Sequence, residues 1–123
     1  MTRSEKVKLA DALFSARIRA RGVCQAQGFT DRAGGVECWG RFECAHVIRR
    51  WKRNAVRWDD DNAACLCMRH HLYFTMNRLE EDRFHSWLLS PERFSELERR
   101  ANDVFNRADL DAIIARLRRG EAA

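Results

Sequence analysis

The stretch CLCMRHH, Cys65 to His71, sets two cysteines and two adjacent histidines within seven residues, and it constrains the fold more than any other segment. Cys67 and His70 are separated by two residues, the spacing at which a tight turn presents two ligands to one tetrahedral zinc. A chain of 123 residues suits one small domain with a limited core, and a structural metal helps such a fold. The second ligand pair must come from elsewhere. Cys24 and Cys38 are the natural candidates, because five of the six glycines lie from Gly22 to Gly40 and such a segment can fold back over the start of a helix. Position 27, where a Cys-x-x-Cys partner of Cys24 is expected, holds Gln27, which leaves Cys38 or Cys44 to complete the set. The plainer reading of a cysteine is a buried core thiol. That reading is preferred for Cys44 and Cys65, each flanked by apolar or small residues in a regular element.

With 23 Lys+Arg against 18 Asp+Glu, the net charge of +5 favours polyanionic partners through long-range attraction. No apolar run is long enough to cross a bilayer, and MTRSEKVKLADALF lacks the apolar stretch and cleavage site of a signal peptide. A cytoplasmic protein with no membrane association is expected. Five cysteines in that setting argue for reduced thiols and metal ligands rather than a disulfide framework.

The periodicity predicts a helix over Ser4 to Arg21, with Val7, Ala10, Phe14 and Ile18 on one stripe, Ser4 as cap, Gly22 as stop and a basic opposite face. RFECAHVI reads as a short strand in which Phe42, Cys44, His46 and Ile48 share a face. A basic loop leads to a second strand near Ala55 to Trp58, and DDDN caps a helix running from Asn62 to about Met76. Three more amphipathic pieces follow. One offers Phe84, Trp87 and Leu88 to the core; one opens at Ser90-Pro91 and carries Phe94, Leu97, Ala101, Val104 and Phe105; one runs from Asp109 to Gly120 with Leu110, Ile113, Ile114 and Leu117 inward. The expected class is α+β, mostly helical. It forms a single domain with an N-terminal helix (1–22), a zinc-stapled core (23–77) and C-terminal helices (78–123).

Adjacent helical positions differ by about 100° around the axis, so His71 cannot easily share a site with His70. If His70 faces the zinc, His71 turns toward the two strands, and His46 projects from the first of them. Two histidines from different elements could meet across one cleft. Taken singly, each is more simply a satisfied polar residue at the edge of the core.

Through ECAHVIRR, RWDDDNAACLCMRHH and YFTMN the chain resembles the HNH endonucleases, especially the small stand-alone type of bacteriophage genomes. The match runs from about Cys24 to Asn77. The resemblance implies a ββα-metal core of two short strands and a helix, with His46, Asn62 and His71 at the signature positions. By it, His46 takes a proton from the attacking water, His71 binds one divalent cation (Mg, Mn, Ni or Zn), and Asn62 fixes the His46 loop through an amide that both donates and accepts. DNA is the implied partner. Packaging beside a phage terminase, recombination and cutting of host DNA are the implied settings, and monomer and dimer are both open.

One departure from that pattern is Ala45, where many such enzymes carry Asp or His as a second metal ligand. Glu43, on the same strand face, and His85, from the following helix, are the candidate substitutes. Ala45 also favours a rival from another class, a zinc-stabilised DNA-binding or recombination accessory protein on a catalytically weakened HNH scaffold. From His46 to Trp58 there are five basic residues, Arg49, Arg50, Lys52, Arg53 and Arg57, and no acidic one. Such a loop neutralises phosphates, with low or modest sequence preference expected. Trp51 within it suits either stacking or an anchoring role.

Overall fold

In the computed structural model, which describes residues 1–29, 35–49, 54–103 and 108–121, five helices surround a sheet of two strands. The first helix, α1 (Arg3–Arg19), forms because Ala10, Phe14 and Ile18 recur every fourth residue and are all buried. Its cap is Thr2 rather than the expected Ser4: the Thr2 hydroxyl accepts the Glu5 N–H at 3.1 Å, and Ser4 lies inside the first turn.

Strands β1 (Phe42–His46) and β2 (Ala63–Cys67) pair antiparallel, Phe42 opposite Cys67 and His46 opposite Ala63. This corrects the expected path. Residues 54–56 form a 3-10 turn rather than a strand, a second 3-10 turn covers Asp60–Asn62, and the second strand occupies residues assigned by sequence to a helix. The physical reason is that every residue of β2 is buried. Cys65 faces the core of α1 while Leu66 faces the opposite core with Phe74 and Phe84, so the polar alternation that marks a half-exposed strand is missing. Helix α2 (Met68–Met76) therefore starts six residues later than predicted, directly after Cys67.

Helices α3 (Arg78–Leu88), α4 (Pro91–Ala101) and α5 (Leu110–Arg119) follow the predicted order. The Ser90 hydroxyl accepts the Arg93 N–H at 3.2 Å, with Pro91 at the first helical position. Asp109 caps α5, and Gly120 closes it in the left-handed region at φ 72°. Val104 and Phe105 lie outside the described residues. Trp87, expected inside, is half exposed.

Three packed clusters hold these elements. Leu110, Ile114 and Leu117 of α5 close over α1 with Trp58; Phe74 and Phe84 stack with centroids 4.6 Å apart beneath α2 and α3; and Leu97 and Ala101 of α4 meet Val56. The last cluster supports the segment between the strands from below. The aspartates before Asn62 tie that segment down further. Asp59 takes Arg100 at 2.9 Å, Asp60 takes Arg17 at 2.9 Å, and Asp61 takes Arg93. The arginines of α1, read from sequence as a basic face, are thus partly spent on the fold. Among the described residues no helix is long and apolar enough to cross a membrane.

Candidate metal centre and adjacent cleft

Gln25 places Cys24. Its backbone N–H donates to the Cys65 carbonyl at 2.8 Å, and its side-chain oxygen accepts the Cys65 N–H at 2.8 Å, so the glycine-rich segment docks along β2. Two residues further along that strand, the Cys67 N–H donates to the Cys24 sulfur at 3.4 Å. The segment before β1 reaches the same point from the other side: Met68 N–H bonds the Arg41 carbonyl at 3.0 Å and Arg69 N–H the Trp39 carbonyl at 3.2 Å, which carries Cys38 over the start of α2.

As a result Cys24, Cys38, Cys67 and His70 form one group able to hold a metal ion such as zinc, with their donor atoms within 4.8 Å of one another. His70 Nδ1 stands 3.6 Å from Cys24 Sγ, 3.6 Å from Cys38 Sγ and 3.2 Å from Cys67 Sγ. Tetrahedral zinc, with Zn–S of about 2.3 Å and Zn–N of about 2.05 Å, sets a sulfur-to-nitrogen edge of about 3.6 Å. The donor set therefore fits that ion in kind and in spacing. It is also the set expected from sequence, with Cys38 rather than Cys44 as the fourth member. Cys44 and Cys65 belong to the core beside α1.

Cys67 is the cap of α2, and its sulfur accepts the His70 N–H at 3.4 Å. Burial pushes its thiol up, but the backbone N–H groups of His70 and Trp39 and the His70 ring outweigh this and bring it down to about 7. For Cys24 burial wins, and the thiol is pushed up to about 12. Gln27, in the position of a missing cysteine, instead reaches the Cys38 sulfur at 4.0 Å.

His71 turns away from this centre. Its Nδ1 meets Glu43 Oε1 at 2.9 Å, and it lines a cleft of about 340 Å³ together with His46, Cys44, Arg49 and Glu81. The cleft takes residues from both sides of β1: Phe14 and Asp11 of α1 on one, His71 and Thr75 of α2 on the other. His46 Nε2 donates to the Arg57 carbonyl at 3.0 Å, and the Phe14 ring lies 5.7 Å from the imidazole. Asn62 is fully buried. It accepts the Ile48 N–H at 2.7 Å and donates to the carbonyls of Ile48 at 3.0 Å and Val56 at 2.9 Å, clasping two points of the segment between the strands.

Arg49 is at the cleft, whereas Arg57 has its guanidinium on Asp11 and only 16% of its side chain exposed. The charge of Arg57, expected from sequence to contact phosphate, is thus paired with Asp11 inside the fold. Arg50, Lys52, Arg53 and Trp51 lie outside the described residues. His85 is buried on α3, grouped with Glu81 and Asp82. Burial pushes the Glu81 carboxyl up, while Arg49 and Arg78 pull the other way.

A feature the sequence reading passed over is the groove on the far side of His71, lined by Trp39, Met68, Arg69 and Leu72. Trp39 is 61% exposed and carries the Arg69 guanidinium 6.0 Å from its ring. A tryptophan three residues before the strand was the available signal. Comparison with protein-family models, with curated proteins and with solved structures finds no match to this chain.

Proposed function

We propose that this chain is a metal-dependent DNA endonuclease or nickase of the HNH kind, hydrolysing phosphodiester bonds with low or modest sequence preference. The observation that carries the reading is that His46 and His71, from a strand and a helix, line one cleft while Asn62 clasps the segment between the strands. Strand, strand and helix in that order, with a Cys/His group beside them, is the arrangement that the HNH resemblance calls for.

A carbonyl oxygen only accepts, so Nε2 of His46 carries the hydrogen and, in the neutral ring, Nδ1 holds the lone pair. Nδ1 is then the atom that takes a proton from attacking water. Glu43 answers the loss of a ligand at Ala45. Its oxygen and His71 Nδ1 are 2.9 Å apart, and neighbouring ligands of an octahedral ion with bonds of about 2.1 Å are about 3 Å apart. Glu43 and His71 are the residues that would hold a divalent cation, His71 through Nδ1 in the tautomer that carries its hydrogen on Nε2. A divalent cation there would supply positive charge for the scissile phosphate and the departing 3′ oxygen. Arg49 in the cleft offers a further phosphate contact, and Trp39 with Arg69 offers a stacking face beside it.

The test is supercoiled plasmid incubated with the zinc-loaded protein and magnesium, manganese, nickel or zinc. Nicked or linear DNA is expected from the wild type, and none from His46→Ala. Cleavage by His46→Ala at the wild-type rate would overturn the assignment of the base. A second reading, an accessory DNA-binding protein, rests on Ala45. DNA binding without cleavage under any of these metals would select it.

A further inference from the structure

We infer that Asp11 is a positioning residue that fixes which nitrogen of His46 carries the hydrogen, acting through the backbone at Arg57 and Trp58. Its consequence for cleavage rests on the nuclease reading, but the tautomer itself is measurable without it.

The Arg57 carbonyl selects the tautomer, since it can only accept from His46 Nε2 at 3.0 Å. That selection is only as firm as the carbonyl's position. Asp11 grips the residue carrying it with a forked pair, Oδ1 to Arg57 Nε at 2.9 Å and Oδ2 to Arg57 Nη2 at 2.6 Å. The same Oδ1 accepts the indole N–H of Trp58 at 3.0 Å. One carboxylate thus holds two consecutive side chains that flank the peptide group whose oxygen meets His46.

The neighbouring carbonyls are pinned as well. Val56 takes the Asn62 amide at 2.9 Å, and Trp58 takes Arg116 Nη2 from α5 at 2.9 Å. Three successive carbonyls, at 56, 57 and 58, therefore each receive a side-chain donor from a different element. Asp11 adds to these a hold on the middle residue by its side chain. One turn further along α1, Phe14 backs the imidazole with its ring tilted 42° to it. The same helix fixes the imidazole's partner and one wall of its pocket. Asp11 and Arg57 are only 20% and 16% exposed, so the fork is little weakened by water. An amide in place of this carboxylate keeps one acceptor and turns an N–H₂ group toward the arginine donors, which breaks the fork. An ångström of carbonyl displacement loosens the Nε2 bond and lets the ring exchange tautomer or turn over.

The experiment uses the full zinc-loaded chain with ¹⁵N-labelled histidine, read by two-bond nitrogen–proton correlation at a pH where the imidazoles are neutral. The His46 signals are identified by their loss in His46→Gln. Wild type is expected to show His46 as the pure Nε2–H form. Asp11→Asn and Arg57→Ala should each show a mixture, bind one zinc as before, and cleave plasmid about 100-fold more slowly, the scale of an ångström of misplacement. Arg57→Lys, with a single donor, should fall between. If Asp11→Asn does not fold, Arg57→Ala carries the test, because it keeps the carbonyl and removes only the grip. A mixed tautomer in the wild type, or an unchanged pure tautomer in Asp11→Asn and Arg57→Ala, overturns the inference. A wild type that fixes the tautomer but cuts no DNA, with the tautomer released in Asp11→Asn, upholds it and removes the nuclease reading.

Discussion

His70 and His71 are neighbours in the chain and belong to different sites: His70 Nδ1 lies 3.2 Å from Cys67 Sγ, whereas His71 Nδ1 lies 2.9 Å from Glu43 Oε1. One helical step of about 100° separates structural from proposed catalytic chemistry. The two alanine variants should therefore fail differently. His70→Ala is expected to lose zinc and melt at lower temperature. His71→Ala should keep one zinc and its far-UV spectrum while losing metal-dependent nicking. Loss of zinc from both variants would show that the sites are not separate.

The purified chain should carry close to one tightly held zinc. Binding of a structural zinc contributes about 10–16 kcal/mol in small modules, against about 5–15 kcal/mol for the whole stability of a domain. Cys24→Ser and Cys67→Ser should consequently fail to fold fully, and Cys44→Ser, on the other core, should retain the metal. Elemental analysis beside thermal melts reads both quantities. A metal-free protein with the wild-type Tm would refute the staple.

Asn62→Ala should destabilise by about 3 kcal/mol in urea unfolding. The change leaves the Ile48 N–H and carbonyl without their amide partner, and the Val56 carbonyl with only the Asp59 N–H at 3.1 Å. Asn62→Asp should do no better, because a carboxylate cannot donate to those two carbonyls. A loss below about 0.5 kcal/mol would mean that the packing of Val56 on Leu97 holds the segment unaided.

The Cys/His group was legible because it is an arrangement of residue types, and Cys67-x-x-His70 fixes half of it by spacing alone. The cap at Ser90 was legible for a similar reason, since it is a local hydrogen bond written within four residues. Strand β2 was not. AACLC is buried on both faces, so its hydrophobic pattern has no polar beat and does not distinguish strand from helix. The ion pair of Arg57 was not legible for a different reason: from His46 to Trp58 it has only basic company, and the carboxylate that holds it is Asp11, 46 residues earlier. The DDDN stretch promised helix caps and delivered mainly long-range pairs, because the arginines that meet Asp59, Asp60 and Asp61 come from helices far off in the chain.

Gly40→Ala should weaken the metal centre without touching a ligand. Gly40 has φ 88°, a region that costs a residue bearing a Cβ, and a Cβ there would stand 2.8 Å from the Met68 Cβ. Met68 opens α2 and is held against Arg41, so the backbone that carries Cys38 would have to shift. The expected cost is about 1–3 kcal/mol, with faster zinc release to a chelator. Unchanged release kinetics would show that the Cys38 segment accommodates the methyl group independently.

Acid should destabilise the chain in part through His85. Burial lowers its pKa from 6.5 to about 4, with Asp82 opposing the shift. Above pH 6.5 the ring is neutral in both folded and unfolded chains, and no penalty arises. Between pH 6.5 and 4 the unfolded chain takes up a proton that the folded one refuses, so stability falls as pH falls, by about 3 kcal/mol in all. His85→Gln removes only this contribution, so the stability of wild type minus that of the variant should drop by about that amount from pH 7 to pH 4. Parallel pH curves for the two proteins would place the imidazole in contact with water rather than in the core.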